Sequence, residues 1–484
     1  MAESTVELKE ILDVLTEELS AKLFRGDNGE SCITINDDSK QKTFILSSSQ
    51  WRDWFIQFVR KREWGVSSYL RDELIEELLA LASVHIEQVN VRIGRTEEAI
   101  QIDLNDDSYN VVSINEKGFR VQQPKNVHFL RPNKQQPLPI PIKTDKKIFI
   151  PLLQTIFPVS FDMLILILTF MLKAIDRDRG SFAHLVVEGP QGSGKSMLSK
   201  RIKALIDPAS PCFFSSPKDV SDILVASVHS YLLVFDNLSG LTHFMADVFC
   251  RLSTGGGLSK RKLYFDHEEM FYKLHRSCIL NGIDEPSNRP DFLDRCITVQ
   301  LKEFKNKNRV AESELDRQFE ENRPQLLGGL YGLLSECLRV LPSIPNNNLP
   351  RMTDFCRMGL ALEKVLKLAP GSFMEAYEKN RSEQTENAFW GDELCCAIFD
   401  RLQREEKGAI EGTAHSLMGR LFRDRRKTGG PRSPRAFSGW LKRVEPLLKT
   451  KGILVKRLPR TADERTIRIY FKNPPERKEV SYEY

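Results

Sequence analysis

The stretch HLVVEGPQGSGKSMLSKRIKALI, residues 184–206, decides the fold. An apolar run of strand type leads into a glycine-rich turn, and the turn opens an amphipathic helix. Its centre, Gly189 to Ser196, fits the pattern G-x-x-x-x-G-K-[S/T]. Phosphate binding needs these residue types: glycines let backbone N–H groups turn inward, Lys195 meets the outer phosphates, and Ser196 can ligate Mg2+. Gly189, Pro190, Gln191, Gly192, Ser193, Gly194, Lys195 and Ser196 are therefore the candidate phosphate-binding residues.

Working outward, the apolar runs PCFF (211–214), YLLVFD (231–236), SCILNG (277–282) and CITVQL (296–301) alternate with helical segments between residues 146 and 305. Such alternation predicts a parallel sheet covered by helices on both faces, an α/β nucleotide-binding core. A phosphate-binding loop needs a carboxylate at the end of a neighbouring strand to hold the hydrated metal, and YLLVFDN supplies Asp236. An ordinary turn-starting aspartate is the alternative. Asn237, next in the chain, can position a water but cannot accept a proton, and the glutamate usual at this place is missing. Asn281 ends another apolar strand; its amide either reaches the γ-phosphate or the attacking water, or only turns the chain before Gly282. RPDFLDR then offers Arg289 and Arg295 just before a strand. In a ring of subunits an arginine there can stabilise phosphoryl-transfer charge in the neighbour's site; the alternative is a surface ion pair with Asp291 or Asp294.

The chain's 484 residues are too many for one ordinary core, and 41% hydrophobic with 28% charged residues is a globular composition. The longest apolar run, MLILILTFML at 163–172, is too short to span a bilayer and reads as a buried helix. The start, MAESTVELKE, is no secretory signal, so a cytoplasmic protein without membrane contact is expected. Nine scattered cysteines without a CxxC pair argue against zinc and against a disulfide framework.

Seven segments follow from these patterns. Residues 1–84 read as an N-terminal helical region, 85–130 as a small β-rich unit and 131–145 as a linker stiffened by Pro132, Pro137, Pro139 and Pro141. The ATPase core takes 146–305 and a helical lid or connector 306–388, where Pro324 suits the first turn of a second helix. A winged helix is expected at 389–474 and a tail at 475–484.

Residues 401–484 hold 22 Lys or Arg against 10 Asp or Glu, a local +12 in a chain of net +5. A basic end on a mildly acidic body points to a polyanion, with a merely solvated surface as the alternative. Three helices (391–403, 414–426 and 434–452) and a two-stranded wing (453–458 and 466–471) make a winged helix. The third helix turns Phe437, Trp440, Leu441 and Leu447 or Leu448 to a core and leaves Arg435, Lys442, Arg443 and Lys449 for duplex DNA. Lys456, Arg457 and Arg460 sit on the wing to meet backbone phosphates. A protein-interaction module is the other use of such a domain.

Taken in order, GPQGSGKS, LLVFDN, CRLSTGGGLSKRKLYFDHEE, CILNGI and RPDFLDR make residues 150–345 resemble a superfamily 3-type AAA+ helicase. The likeness is to the ATPases of phage and mobile-element primase-helicases and cassette chromosome helicases. That resemblance implies ATP and Mg2+, a homo-oligomeric ring, a hexamer, and single-stranded DNA threaded through its centre. It also implies Asn281 as sensor 1, Arg295 as the arginine finger and Arg251 as a further trans-acting arginine. LSKRKLYFDHEEMFYKLHR (258–276) is similar to the hairpin that projects into the pore of such rings. Lys260, Arg261, Lys262, His267 and Lys273 are then its candidate phosphate contacts, although Asp266, Glu268 and Glu269 would repel DNA. The function implied is ATP-dependent DNA unwinding or translocation for a mobile element, prophage or plasmid, with any priming supplied by a separate primase. A nucleotide-switched initiator, a helicase loader and a defence ATPase are the alternatives.

Overall fold

The structure is a computed structural model, and it describes residues 4–176, 180–261, 269–283, 286–303, 311–422, 430–459 and 465–473. The chain forms two compact units. One comprises Met1–Asp284 with Ile297–Ala376, the other Glu285–Cys296 with Tyr377–Tyr484.

The first unit opens with an α/β layer rather than the all-helical region expected for 1–84. Strands Lys22–Gly26, Ser31–Asp37 and Lys40–Ile45 form an antiparallel meander, extended by Ile86–Glu87. Helices Ser49–Lys61 and Ser68–Ala82 are N-capped by Ser48 and Ser67, whose hydroxyls accept from Trp51 and Leu70 N–H. They bury Trp51, Phe55, Leu74 and Leu78 against Ile33 and Ile35. The strands form because CITIN and KQKTFI alternate across short polar turns, a period of two set between two helical stretches.

Residues 93–122 are a four-stranded antiparallel meander, in the order Gly118–Gln122, Val111–Asn115, Ile100–Asp103, Ile93–Arg95. His128 ties this region to the preceding sheet, its Nδ1 2.7 Å from Thr34 Oγ1 and its Nε2 2.6 Å from Glu87 Oε2. The proline-rich stretch then runs irregularly onto the helix Glu312–Val340, where Ile142 N–H donates to Pro324 O at 2.9 Å. A Cβ on Gly328 would meet Ile142 O at 1.7 Å, so only glycine lets the linker lie so close. Pro324 thus sits inside one 29-residue helix instead of starting a second one.

The core sheet has the order Leu233–Leu238, Cys278–Gly282, His184–Glu188, Cys296–Gln300; 233–238 runs parallel to 278–282, and 278–282 runs parallel to 184–188. The expected strand at 211–214 is reduced to a bridge between Phe214 and Phe235, the prolines at 208 and 211 leaving little backbone to pair. The apolar helix Phe161–Ile175 is buried along nearly its whole length. Among the described residues, no single helix is long and apolar enough to cross a membrane.

The second unit contains the helices Glu393–Arg404, Ala414–Leu421 and Pro434–Thr450 and an antiparallel sheet in the order Ala409–Thr413, Thr466–Phe471, Ile453–Arg457. The sheet has three strands where two were expected. AIEGT escapes a pattern search because it is short and carries a glycine, yet it pairs with 466–470 along its full length. Helix Pro434–Thr450 buries Phe437, Leu441, Val444, Leu447 and Leu448, and Trp440 Nε1 donates to Asp392 Oδ2 at 2.9 Å.

Candidate nucleotide and nucleic-acid sites

Strand His184–Glu188 is buried at every position, which its unbroken apolar run between two neighbouring strands requires. From it the chain crosses to Leu233–Leu238, two places away on one side, while Cys296–Gln300 lies on the other. The order reverses at 184–188, and in open α/β sheets the crevice at the carboxyl ends of strands at such a point receives the ligand.

The loop at that crevice needs its glycines. Gly192 and Gly194 take φ of 76° and 89°, and Gly194 is the N-cap of helix Lys195–Ile206. Gly189 has φ 150°, and a Cβ there would meet the backbone Leu301 O at 2.5 Å and Ser193 Oγ at 2.8 Å. The helix start leaves backbone N–H groups without intrahelical partners, a natural seat for an anion. Lys195 Nζ lies across the loop, donating to Gly189 O at 2.6 Å and Pro190 O at 2.9 Å. Ser193 Oγ is buried with no hydrogen-bond partner among the described residues. A cradle that a methyl group would fill, a buried hydroxyl without a partner among the described residues and an ammonium laid across the loop suit a triphosphate.

Beside the loop, Ser196 Oγ lies 3.2 Å from Asp236 Oδ2 and 3.5 Å from Oδ1. Asp236 stands in an irregular stretch of its strand: the pairing with Cys278–Gly282 shifts between Phe235 and Leu238, and Asn237 is exposed with φ 57°. Asparagine tolerates this left-handed backbone better than most residues, and bulges of this kind re-aim side chains beside active sites. Asn281 is fully buried, and its Nδ2 donates to Asp236 Oδ1 at 3.1 Å. Its Oδ1 accepts from Ser199 Oγ at 2.7 Å. Lys195, Ser196, Asp236 and Asn281 thus converge, with Asn281 reaching the site through Asp236. A hydroxyl beside a carboxylate is a hard oxygen pair of the kind that, with substrate phosphates and water, suits Mg2+.

The other predicted residues fall elsewhere. Arg251 is exposed in the last turn of helix His243–Thr254, which Gly255 closes at φ 73° while Gly256 N–H returns to Arg251 O at 2.9 Å. The three glycines therefore end a helix and start a hairpin. That hairpin pairs Gly257–Arg261 with Glu269–Lys273, setting Lys260 opposite Met270, Arg261 opposite Glu269 and Lys273 opposite Gly257. Lys262 and His267 lie outside the described residues. Arg289 and Arg295 belong to the second unit. There Arg289 pairs with Asp291 at 3.0 Å, the ion pair weighed as its alternative, and Arg295 donates to Asp291 O.

In the second unit Arg435, Lys442, Arg443, Lys449 and Lys456 are exposed. Glu445 draws two of the basic residues, pairing with Arg457 at 2.9 Å and with Lys449 at 3.7 Å. Arg460 lies outside the described residues.

Sequence reading passed over Ser199 and the buried pair Lys203 and Asp207. A signal was available: Ser199 and Lys203 share a helical stripe with Ile202 and Ile206, and polar residues on a buried stripe need partners. Asp207 is completely buried. Burial would raise its carboxyl, but the Lys203 ammonium, the Arg92 guanidinium and the Leu232 N–H hold it below the usual range.

A family profile described as the actinomycete integrative conjugative element replication protein matches residues 154–380, and one described as the AICE RepA C-terminal domain matches 395–479. No curated protein matches the sequence. Among solved structures, the apo A form of the NrS-1 C-terminal region aligns with 96% of this chain and 98% of its own, at 12% identity and a TM-score of 0.43. A JCV helicase bound to a small molecule aligns over 48% of this chain and 63% of its own, at 14% identity and a TM-score of 0.26. The two profiles together span well over half of the sequence, and the chain belongs to the RepA replication-protein family of actinomycete integrative conjugative elements.

Proposed function

We propose that this replication protein is an ATP-dependent DNA helicase or translocase working in the cytoplasm, with a P-loop core of superfamily 3 AAA+ type and a C-terminal winged helix. The observation that carries the reading is the approach of Ser196 Oγ to within 3.2 Å of Asp236 Oδ2 beside the Gly189–Ser196 loop. The loop N–H groups and Lys195 bind the triphosphate, and Ser196 and Asp236 hold Mg2+. When bound, that ion neutralises charge on the β- and γ-phosphate oxygens. Asn281 fixes Asp236, the one side chain of the cluster able to take a proton from the attacking water, since Asn237 cannot.

Arg295 and Arg251 act from neighbouring subunits of a hexameric ring, with Arg289 close before Arg295 in sequence. The 257–273 hairpin meets single-stranded DNA in the pore, and the order helix, strand, two helices, two strands in the second unit supports a winged helix on duplex DNA. A separate primase supplies primers. In a fork-unwinding assay wild type should separate strands with ATP and Mg2+, and Lys195→Ala should not. DNA binding and ATPase activity without strand separation would instead establish the second reading, a nucleotide-switched initiator, loader or defence ATPase, which Asn237 in place of a glutamate favours.

A further inference from the structure

We infer that Ser199 is a positioning residue: through Asn281 it sets the Asp236 carboxylate in the orientation that, with Ser196, holds a divalent cation. The inference rests on the nucleotide-site reading above and adds a residue to that site.

Ser199 and Asn281 are both completely shielded from solvent, so neither side chain has water to fall back on. A serine hydroxyl has one proton, and Ser199 gives it to Asn281 Oδ1 at 2.7 Å. The other end of the amide faces the carboxylate, and its Nδ2 donates to Asp236 Oδ1 at 3.1 Å. Were the amide reversed, its oxygen would face a carboxylate oxygen, acceptor against acceptor. The carboxylate therefore sets the orientation of the amide, and the Ser199 hydroxyl holds the oxygen so presented.

The consequence falls on Asp236. With Oδ1 engaged by Asn281, the other oxygen, Oδ2, is the one nearer Ser196 Oγ, at 3.2 Å against 3.5 Å. The Asp236 N–H donates to Phe214 O at 3.1 Å, but the ladder with 278–282 slips between Phe235 and Leu238 and Asn237 is left-handed, so the carboxylate's own partners set its orientation. Ser199 also lies one turn beyond Ser196 on the same helix. One helix thus supplies both the hydroxyl that faces the metal and the hydroxyl that orients the metal's carboxylate.

The test titrates Mg2+ into the full-length chain while following binding of a fluorescent ATP analogue. Removing a hydrogen-bond partner behind a metal ligand typically weakens metal affinity about 10–100-fold. Ser199→Ala should accordingly raise the Mg2+ half-saturation about tenfold or more, and Ser199→Thr, which keeps the hydroxyl, should recover most of the loss. Asn281→Ala should show a comparable rise, and Ser199→Ala should add nothing to it, because the relay is already broken. Wild-type half-saturation in Ser199→Ala would overturn the inference. So would a double variant whose loss is the product of the two single losses, since Ser199 would then act by another route. The cycle needs only the alanine variants, so a poorly folding Ser199→Thr does not weaken it. Analogue binding by wild type that ignores both Mg2+ and Lys195→Ala would remove the nucleotide-site reading itself, and the relay with it.

Discussion

Replacing Asp207 by alanine should be among the most damaging single changes in the first unit. Its carboxylate accepts from Tyr231 N at 2.7 Å, Lys203 Nζ at 3.0 Å, Leu232 N at 3.1 Å and Arg92 Nε at 3.2 Å, all in a fully buried setting. Arg92 and Lys203 are themselves completely buried, so alanine strands two cations as well as two N–H groups. Breaking a buried pair from one side costs about 3–5 kcal/mol, and whole domains are stable by only about 5–15 kcal/mol. Asp207→Ala should therefore lose at least about 3–4 kcal/mol in urea unfolding of the full chain followed by tryptophan fluorescence. Asp207→Asn keeps an acceptor but not the charge and should lose less. The carboxyl titrates below its unfolded value of about 3.9, so its contribution is complete above that pH and drains away as pH falls through the folded-state value. Wild type should lose this stability below about pH 4, and Asp207→Asn should show a flatter acid limb. A loss under about 1 kcal/mol for Asp207→Ala, or an unchanged acid limb for Asp207→Asn, would refute the reasoning.

Gly189→Ala should destabilise the chain by about 1–3 kcal/mol and abolish fluorescent-nucleotide binding, because the added methyl meets the fixed Leu301 carbonyl at 2.5 Å; retained binding would show that the loop is not tight. In the second unit, Lys442→Ala and Arg443→Ala should each reduce the salt slope of duplex binding by about 0.9, measured by anisotropy. Arg457→Ala should change it less, since Glu445 already holds Arg457 at 2.9 Å.

How much of this was legible depended on whether a pattern is local. The 189–196 loop has fixed spacing, and its strand, turn and helix lie in one stretch, so the α/β class and the course of that stretch could be read directly. Asp236 and Asn281 could be found as polar residues closing apolar runs, but not that one holds the other; that follows from strand 278–282 lying between 184–188 and 233–238. The strands at 22–45 were within reach of an alternation search and were masked by the helical stretches after them. AIEGT at 409–413 was not, because its pairing with 466–470 is made across more than fifty residues of chain. Pro324 misled for another reason: a proline deletes one N–H, and in a helix of 29 residues packed against the linker the rest of the ladder outweighs it.

The parts left unread turn out to hold the site's shape. Helix Lys195–Ile206 carries Lys195 and Ser196 at its start and Asp207 at its end, and strand Leu233–Leu238 carries Asp236 near its end. Asp207 accepts the N–H groups of Tyr231 and Leu232, just ahead of that strand, while Lys203 Nζ donates to Leu232 O at 2.7 Å. Helix and strand are therefore joined at one end by a buried ionic cluster and at the other by Ser196, Asp236, Asn281 and Ser199. Two elements pinned at both ends cannot slide past each other without breaking one cluster, so the Ser196 to Asp236 distance is set by contacts at both ends. Arg92 enters the lower cluster from the β-rich region and also donates to Asp103 O, Gln136 O and Pro208 O. The region before the linker is thus built into the scaffold that sets the Ser196–Asp236 pair, and it contributes a fully buried charge to the core.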